Sequence, residues 1–175
     1  MNWYAYVHDD PMDHQDPTGN CPNTSTDSAP LCVNYNVSPP TDEQKKINTI
    51  VTDGKGNVKP QLNDPSVPNV APQVVESWKV HENKHAQDFN ENACPCSKAK
   101  VAAAPAGDVV ASDTHIEVVK AEVRAYTTEI NYDKNILKST KMDPMDRQNV
   151  IDNMNQSIEI LNQYQKQLSD LQSSQ

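Results

Sequence analysis

Two histidines one helical turn apart are the residues of this sequence best suited to chemistry. His81 and His85 lie in the stretch Val80–Phe89, and Glu82 follows the first histidine directly. If the stretch is helical, positions i and i+4 share a face, so both imidazoles can reach one metal ion. Glu82 is turned by about 100° around the helix axis, where it can act as general base on a metal-activated water. The spacing therefore predicts a metal-dependent hydrolytic site.

A third metal ligand is expected on a second predicted helix, which spans about residues 113 to 139. On a helical projection centred on Glu122, most residues within about 60° are apolar. They include Val118, Val119, Ala125 and Tyr126. A carboxylate among apolar side chains is costly to bury unless it meets a cation or strong hydrogen-bond donors. A metal ion would satisfy Glu122, as would a salt bridge with lysine or arginine, and Glu129 on the same face is the alternative ligand.

Three helices are expected to position these side chains. The first covers about residues 73 to 90, and its two histidines share a face with apolar residues. The second is the helix that carries Glu122. The third covers about residues 144 to 171, with Asp143 before it and Pro144 at its first position. Its apolar residues recur every three or four positions, which predicts antiparallel packing against the second helix.

The segments before and between these helices are predicted to be mainly loop. Thr41 and Gln44 match a capping box, which predicts a short helix to about Val51. Prolines are frequent between residues 58 and 72, so any strand there is short or at a sheet edge. Residues 91 to 112 contain Cys-Pro-Cys and an Ala/Pro/Gly stretch, which indicate a loop. The predicted fold class is mainly α, or α+β with a minimal sheet.

Composition and charge exclude several classes of function. The formal net charge is -9, whereas a protein that grips a phosphate backbone carries a basic face, so no nucleic acid is expected as a partner. No apolar run approaches the roughly 20 residues of a membrane-spanning helix. Met1 is followed by Asn-Trp-Tyr, so no signal peptide is expected. The mean hydropathy of -0.79 predicts a small core.

The four cysteines permit two disulfide bonds. A bond between Cys94 and Cys96 would close a very tight ring through Pro95. Bonds from these two residues back to Cys21 and Cys32 are therefore favoured. A structural zinc site and free thiols are the alternatives. Disulfide bonds would indicate that the protein acts in an oxidising compartment.

Two short motifs follow each other near the N terminus. Their residues are Asn2, Tyr4, Tyr6, Val7, Asp10 and Pro11, and then Asp16, Pro17 and Gly19. The pattern resembles the end of the Rhs (YD-repeat) core of bacterial polymorphic toxins, in which D-P-x-G precedes a variable toxin domain. The family usually has Asn at the position of Asp9 and Leu at the position of Asn20. Self-cleavage in the family occurs beside that Leu, so the resemblance leaves cleavage at this junction open.

The region around the two histidines, about residues 74 to 130, resembles the gluzincin type of zinc metallopeptidase. In that type His-Glu-x-x-His lies on one helix and a later helix carries a Glu ligand, often as E-x-x-A. Glu122 to Ala125 match the second motif. The resemblance implies a zincin-like fold with an edge strand that binds substrate, although the sequence does not indicate where that strand lies.

The same resemblance implies zinc as the cofactor and assigns roles to particular side chains. The implied zinc ligands are His81, His85 and Glu122, and the implied general base is Glu82. A tyrosine or histidine commonly stabilises the oxyanion in this type of enzyme. Tyr126 and His115 are the candidates for that role here.

Together the two resemblances imply the C-terminal tip of an Rhs-type toxin. Residues 1–20 would end the Rhs core, and residues 21–175 would form the toxin domain. Within it, residues 21–72 would be loop-rich, 73–140 the metallopeptidase core and 141–175 the C-terminal helix. The expected partners are the Rhs core shell, a protein or peptide substrate and a cognate immunity protein. Delivery into a target cell by a contact-dependent secretion system is expected.

Two other functions stay open from the sequence. A non-enzymatic helical module that binds a partner would need no metal, and Glu82→Gln would not affect it. A toxin of another chemistry, such as a nuclease, could use the same histidines with a metal ion. The acidic net charge disfavours a nuclease.

Overall fold

A computed structural model describes residues 32–64, 66 and 70–174 of the chain. The elements in chain order are β1 (Tyr35–Ser38), a 3₁₀ turn (Gln44–Lys46), β2 (Thr49–Thr52), β3 (Val58–Gln61), α1 (Pro72–Asn92), α2 (Pro95–Ala103), β4 (Val109–Ser112), α3 (His115–Ser139) and α4 (Pro144–Ser173). The predicted fold class is confirmed, because a small antiparallel sheet accompanies a mainly helical chain. The motifs of residues 2–20 lie outside the described residues.

The sheet has the strand order β1-β4-β2-β3, and all of its pairs are antiparallel. β1 pairs with β4 along its whole length, but β2 and β4 meet through one registered pair, Val51 opposite Val109. β3 is an edge strand and contains Pro60, as expected for a strand in this proline-rich region. Residues of β1, β2 and β4 line a cleft that is described below.

The helix α1 connects the sheet with the other long helices. It begins with Pro72, which suits the first helical turn because its missing N–H has no partner there in any case. Near its C-terminal end, Phe89 packs edge-to-face on Tyr35 of β1, with ring centroids 5.0 Å apart. Near its N-terminal end, Val74 packs with Val150 of α4. One face of α1 is thus buried at both ends, and the histidines lie between these contacts.

The helices α3 and α4 form the predicted antiparallel pair. Asp143 caps α4 by accepting hydrogen bonds from the backbone N–H groups of Met145 and Asp146, at 2.9 and 3.0 Å. Contacts between the two helices run in opposite chain directions. They join Arg147 to Leu137, Asn153 to Asp133, Ser157 to Glu129 and Tyr164 to Tyr126. The predicted helix boundaries agree with the observed ones to within about two residues.

Two expectations about the connecting segments were wrong. The capping box is present, since Thr41 and Gln44 bond reciprocally, but the helix ends after a single 3₁₀ turn. The β-branched sequence Thr-Ile-Val-Thr of β2 follows, and its buried position in the sheet overrides a helical continuation. The predicted loop of residues 91 to 112 contains α2 and β4. Pro95 starts α2 rather than excluding a helix, because it stands in the first turn.

One disulfide bond joins the start of the described chain to the end of α1. Cys32 and Cys94 are bonded, with their Cα atoms 4.9 Å apart, as the favoured pairing predicted for Cys94. Closing a loop of this length, 62 residues, contributes about 4 kcal/mol in the chain-entropy model. Cys96 is also disulfide-bonded, so neither free thiols nor a zinc site applies to these three cysteines; Cys21 lies outside the described residues. No helix in the described part of the chain is long and apolar enough to cross a membrane.

Candidate metal centre

The two histidines of α1 and one glutamate of α3 meet at one point beneath the cleft. The Nε2 atoms of His81 and His85 are 3.1 Å apart. The two carboxylate oxygens of Glu122 lie 3.4 Å from these atoms, one from each histidine. All three residues offer a ligand atom within 4.8 Å of the others. This group could hold a metal ion, and it contains the three ligands predicted from the sequence.

Glu129 fixes the orientation of the first histidine from the other side of its ring. Its Oε2 lies 2.9 Å from Nδ1 of His81. Because a carboxylate accepts hydrogen bonds, Nδ1 carries the proton and Nε2 faces His85 and Glu122. The ring of Tyr126 packs edge-to-face on His81, with centroids 4.4 Å apart. Glu129 is thus outside the group of three that could hold a metal ion.

Three other helical side chains hold Glu129 in place. Its Oε1 accepts hydrogen bonds from Ser157 at 3.0 Å and Asn153 at 3.1 Å, both on α4. Ser77 of α1 donates a longer bond of 3.5 Å to the same oxygen. Only 2% of Glu129 is exposed, so these donors replace the water that a buried carboxylate loses. The sequence indicated Glu129 as a candidate, but the periodicity of α3 alone could not separate a ligand from an orienting group.

The three candidate ligands differ in protonation in the absence of a metal ion. Burial alone would lower the pKa of His81, but hydrogen bonds to Glu122 and Glu129 outweigh it and hold the pKa well above its ordinary value. Burial lowers the pKa of His85 to about 4, so its ring is neutral at neutral pH. Burial opposes ionisation of Glu122, yet the two histidines outweigh this effect and lower its pKa. A metal ion would therefore meet one neutral imidazole, one carboxylate and a second imidazole whose Nε2 proton it must displace.

The residues predicted to act beside the ligands lie in different surroundings. Glu82 is buried beside the group, and burial raises its pKa to about 8. Tyr126 is buried on the other side of His81, and burial holds its pKa well above 10, so its phenol is protonated. Both residues line the cleft. His115 is the exposed first residue of α3 and is not among the residues that line the cleft.

A cleft of about 310 Å³ lies over the group of three. Its walls come from the sheet, from α1 and α3, and from residues 156–167 of α4. The contribution from α4 consists of Gln156, Glu159, Ile160, Gln163, Tyr164 and Gln167. Sequence reasoning did not assign these residues to the site. Their three- and four-residue spacing could indicate a shared face, but no pattern in the chain shows that the face covers a cleft.

A buried salt bridge beyond His85 anchors α1 to α3. Asp88 is 1% exposed, and its two oxygens contact Lys84 at 2.7 Å and Arg124 at 2.6 Å. Both cations therefore form ion pairs with Asp88. The ion pair with Arg124 stabilises the packing of α1 on α3, the two helices that carry the candidate ligands. The alternative that Glu122 forms a salt bridge with lysine or arginine was wrong. Its ion-pair partners are His81 and His85.

Comparisons of the whole chain with protein families, with curated proteins and with solved structures find no match.

Proposed function

We propose that this protein is a zinc-dependent peptidase whose metal is held by His81, His85 and Glu122. The observation that carries the proposal is the closeness of the donor atoms: the two Nε2 atoms are 3.1 Å apart, and each lies 3.4 Å from a different carboxylate oxygen of Glu122. Four ligands at about 2.0–2.1 Å from zinc with tetrahedral angles are about 3.3–3.4 Å apart. Three protein ligands leave the fourth position open, which is the arrangement of a catalytic rather than a structural zinc site.

The side chains around the ligands suit the hydrolysis of an amide bond. Bound zinc would supply a Lewis acid that lowers the pKa of a water and polarises a carbonyl group. Glu82 is next to the first ligand and lines the cleft. Burial raises its pKa to about 8, but a zinc cation beside it would favour the ionised form. In that form Glu82 is placed to accept a proton from the attacking water and return it to the leaving amine. Tyr126 keeps its phenolic proton and can donate it in a hydrogen bond to the oxygen on which negative charge develops.

The N-terminal motifs support a biological setting for this activity. Their resemblance to the end of an Rhs core suggests a toxin domain that is delivered into a target cell. A peptidase in that role would act on a protein of the target cell, and the producing cell would need an immunity protein that blocks the cleft. The acidic net charge of -9 is consistent with a protein substrate and disfavours a nucleic acid.

Metal content and peptide hydrolysis test the proposal together. Protein purified without chelator, and then incubated with zinc and desalted, should contain about one zinc per chain by mass spectrometry of the metal. His85→Ala should lose the zinc, whereas His115→Ala, a matched change of an exposed histidine, should keep it.

The same preparations should then be incubated with a denatured protein substrate. The wild type should release peptides, and Glu82→Gln should bind zinc but lose activity by a factor of at least about 100, the usual contribution of a general base. Absence of zinc uptake by the wild type would refute the proposal. Equal hydrolysis by Glu82→Gln would refute the role of Glu82.

A further inference from the structure

The walls of the cleft are strongly biased in charge. Four carboxylates line it, and no lysine or arginine is among the described residues that do so. The carboxylates are Glu82, Asp88, Glu122 and Glu159. A substrate group with a negative charge, including the free carboxylate of a peptide C terminus, therefore finds no lysine or arginine in the lining, and the basic side chains there are the two candidate ligands His81 and His85.

Three of the four carboxylates already have a partner or a role. Glu122 contacts both histidines, and Asp88 contacts Lys84 and Arg124. Glu82 is buried beside the first histidine, where the proposed function uses it as a base. None of these three carboxylates is available to neutralise a charge on a substrate.

Glu159 differs from the other three in its surroundings. It is an exposed residue of α4 that lines the cleft. Side chains three and four positions away on a helix are its neighbours, and for Glu159 these are Asn155, Gln156, Asn162 and Gln163. The nearest basic residue along α4 is Lys166, about two helical turns or 10 Å away. Glu76, an exposed glutamate of α1, by contrast has an ion-pair partner three positions away, Lys79.

We propose that Glu159 makes the cleft selective for a peptide with a positively charged group close to the bond that is cut. This inference rests on the proposed peptidase function and names its substrate class. A cationic group in the cleft would pair with Glu159 on one wall and meet no like charge from lysine or arginine on the others. The amides beside Glu159 can accept hydrogen bonds from the same group or bond to the substrate backbone.

The positive group has two chemical sources in a peptide. A lysine or arginine side chain would make the protein an endopeptidase with basic specificity. A free α-amino group would make it an aminopeptidase. Peptides that differ only in acetylation of the N terminus, or only in lysine against glutamine beside one bond, separate the two sources.

The test uses the zinc-loaded full chain and measures kcat/KM on matched peptides with lysine, glutamine or glutamate beside the same bond, each with a free and an acetylated N terminus. The wild type should prefer the positively charged peptide of one of the two series. Glu159→Gln should reduce that preference by about fivefold, the upper range for a pair of exposed charges. Glu159→Lys should invert it towards glutamate. Asp170→Asn removes one charge from the same helix outside the cleft and should leave the preference unchanged.

The possible outcomes separate this inference from the function on which it rests. Hydrolysis without a charge preference, or with a preference that survives Glu159→Gln, would overturn the inference and leave the peptidase function in place. A zinc-loaded wild type that cuts neither these peptides nor any bond of a denatured protein would overturn both. If Asp170→Asn weakens the charge preference as much as Glu159→Gln does, the preference comes from the overall charge of α4. That result would also overturn the role of Glu159.

Discussion

At the scale of single residues, the site depends on how each carboxylate is used. Glu122 and Glu129 lie on the same face of α3, and both contact His81. Glu122 faces the Nε2 atoms, where a metal ion would be bound, while Glu129 contacts the opposite ring nitrogen. The same residue type therefore serves once as a candidate ligand and once as an orienting group, and the difference comes from which ring nitrogen it faces.

Glu129→Gln tests the orienting role. The amide can still reach His81, but it removes the charged acceptor that holds the ring, so we expect zinc affinity to fall by about 10–100-fold. Competition with a chromogenic chelator would measure the affinity, and circular dichroism would show that the helices are retained. Glu117→Gln is the matched control, because Glu117 lies on the same helix and pairs with Lys120 away from the histidines. Equal zinc affinity in Glu129→Gln and wild type would contradict the role.

At the scale of elements, the interface between α3 and α4 is unusually polar beside the site. Val150 and Ser157 are the only buried residues of α4. Asn153 joins three helices, since its Nδ2 group contacts Glu129 and Asp133 at 3.1 Å and its Oδ1 accepts a bond of 2.9 Å from Trp78. Hydrogen bonds thus replace much of the apolar contact that normally joins two helices, so the packing of α4 should depend on the protonation of its partners.

Asp133 makes this dependence measurable. It is fully buried, and burial raises its pKa to about 6 from an ordinary value of 3.8. A folded-state pKa above the unfolded one means that the protonated form favours folding, so this contribution is present below about pH 4 and is lost as the pH rises through 6. Asp133→Asn should therefore raise the melting temperature near pH 7 by about 2–4 °C, for a gain on the order of 1 kcal/mol.

The comparison needs melting curves of both proteins from pH 3.5 to 8. The advantage of Asp133→Asn should shrink through pH 6 and vanish near pH 4. Asp152→Asn, on the exposed face of α4, should show no such trend. A constant difference between Asp133→Asn and wild type across this range would exclude titration of Asp133 as the cause.

The length of each element determines how well it could be predicted from the sequence. The three long helices were predictable because an apolar period of three to four residues extends over many turns, and α4 also has a side-chain cap, Asp143. β2 and β4 have four residues each, too few for a period, and the pair Val51 with Val109 joins distant parts of the chain. The ligands His81, His85 and Glu122 share short helical spacings, so local geometry sufficed for them. Glu159 belongs to the cleft only through tertiary packing.

At the scale of the whole molecule, a metal ion at this site would join α1 to α3. Other connections between these helices include the contacts of Glu129, the ring contact of Tyr126 with His81 and the salt bridge of Asp88 with Arg124. Without a metal ion, the folded protein keeps a buried group of two histidines and a carboxylate that are costly to remove from water. A ligand that binds only the folded state raises the free energy of unfolding by RT ln(1 + [L]/Kd), where [L] is the free ligand concentration.

Zinc should therefore raise the melting temperature of the metal-free protein. At a free zinc concentration of about 100 Kd the gain is about 2.7 kcal/mol, which corresponds to roughly 5–10 °C for a chain of this size. Calorimetry in chelator and in buffered zinc would measure the shift. His85→Ala should melt at the same temperature in both buffers, because the remaining two ligands bind weakly. His115→Ala should shift as the wild type does, because this histidine is exposed and outside the group. If zinc raises the melting temperature of His85→Ala as much as that of the wild type, zinc binds elsewhere. Of the two variants, only His85→Ala removes a ligand from the site formed by His81, His85 and Glu122.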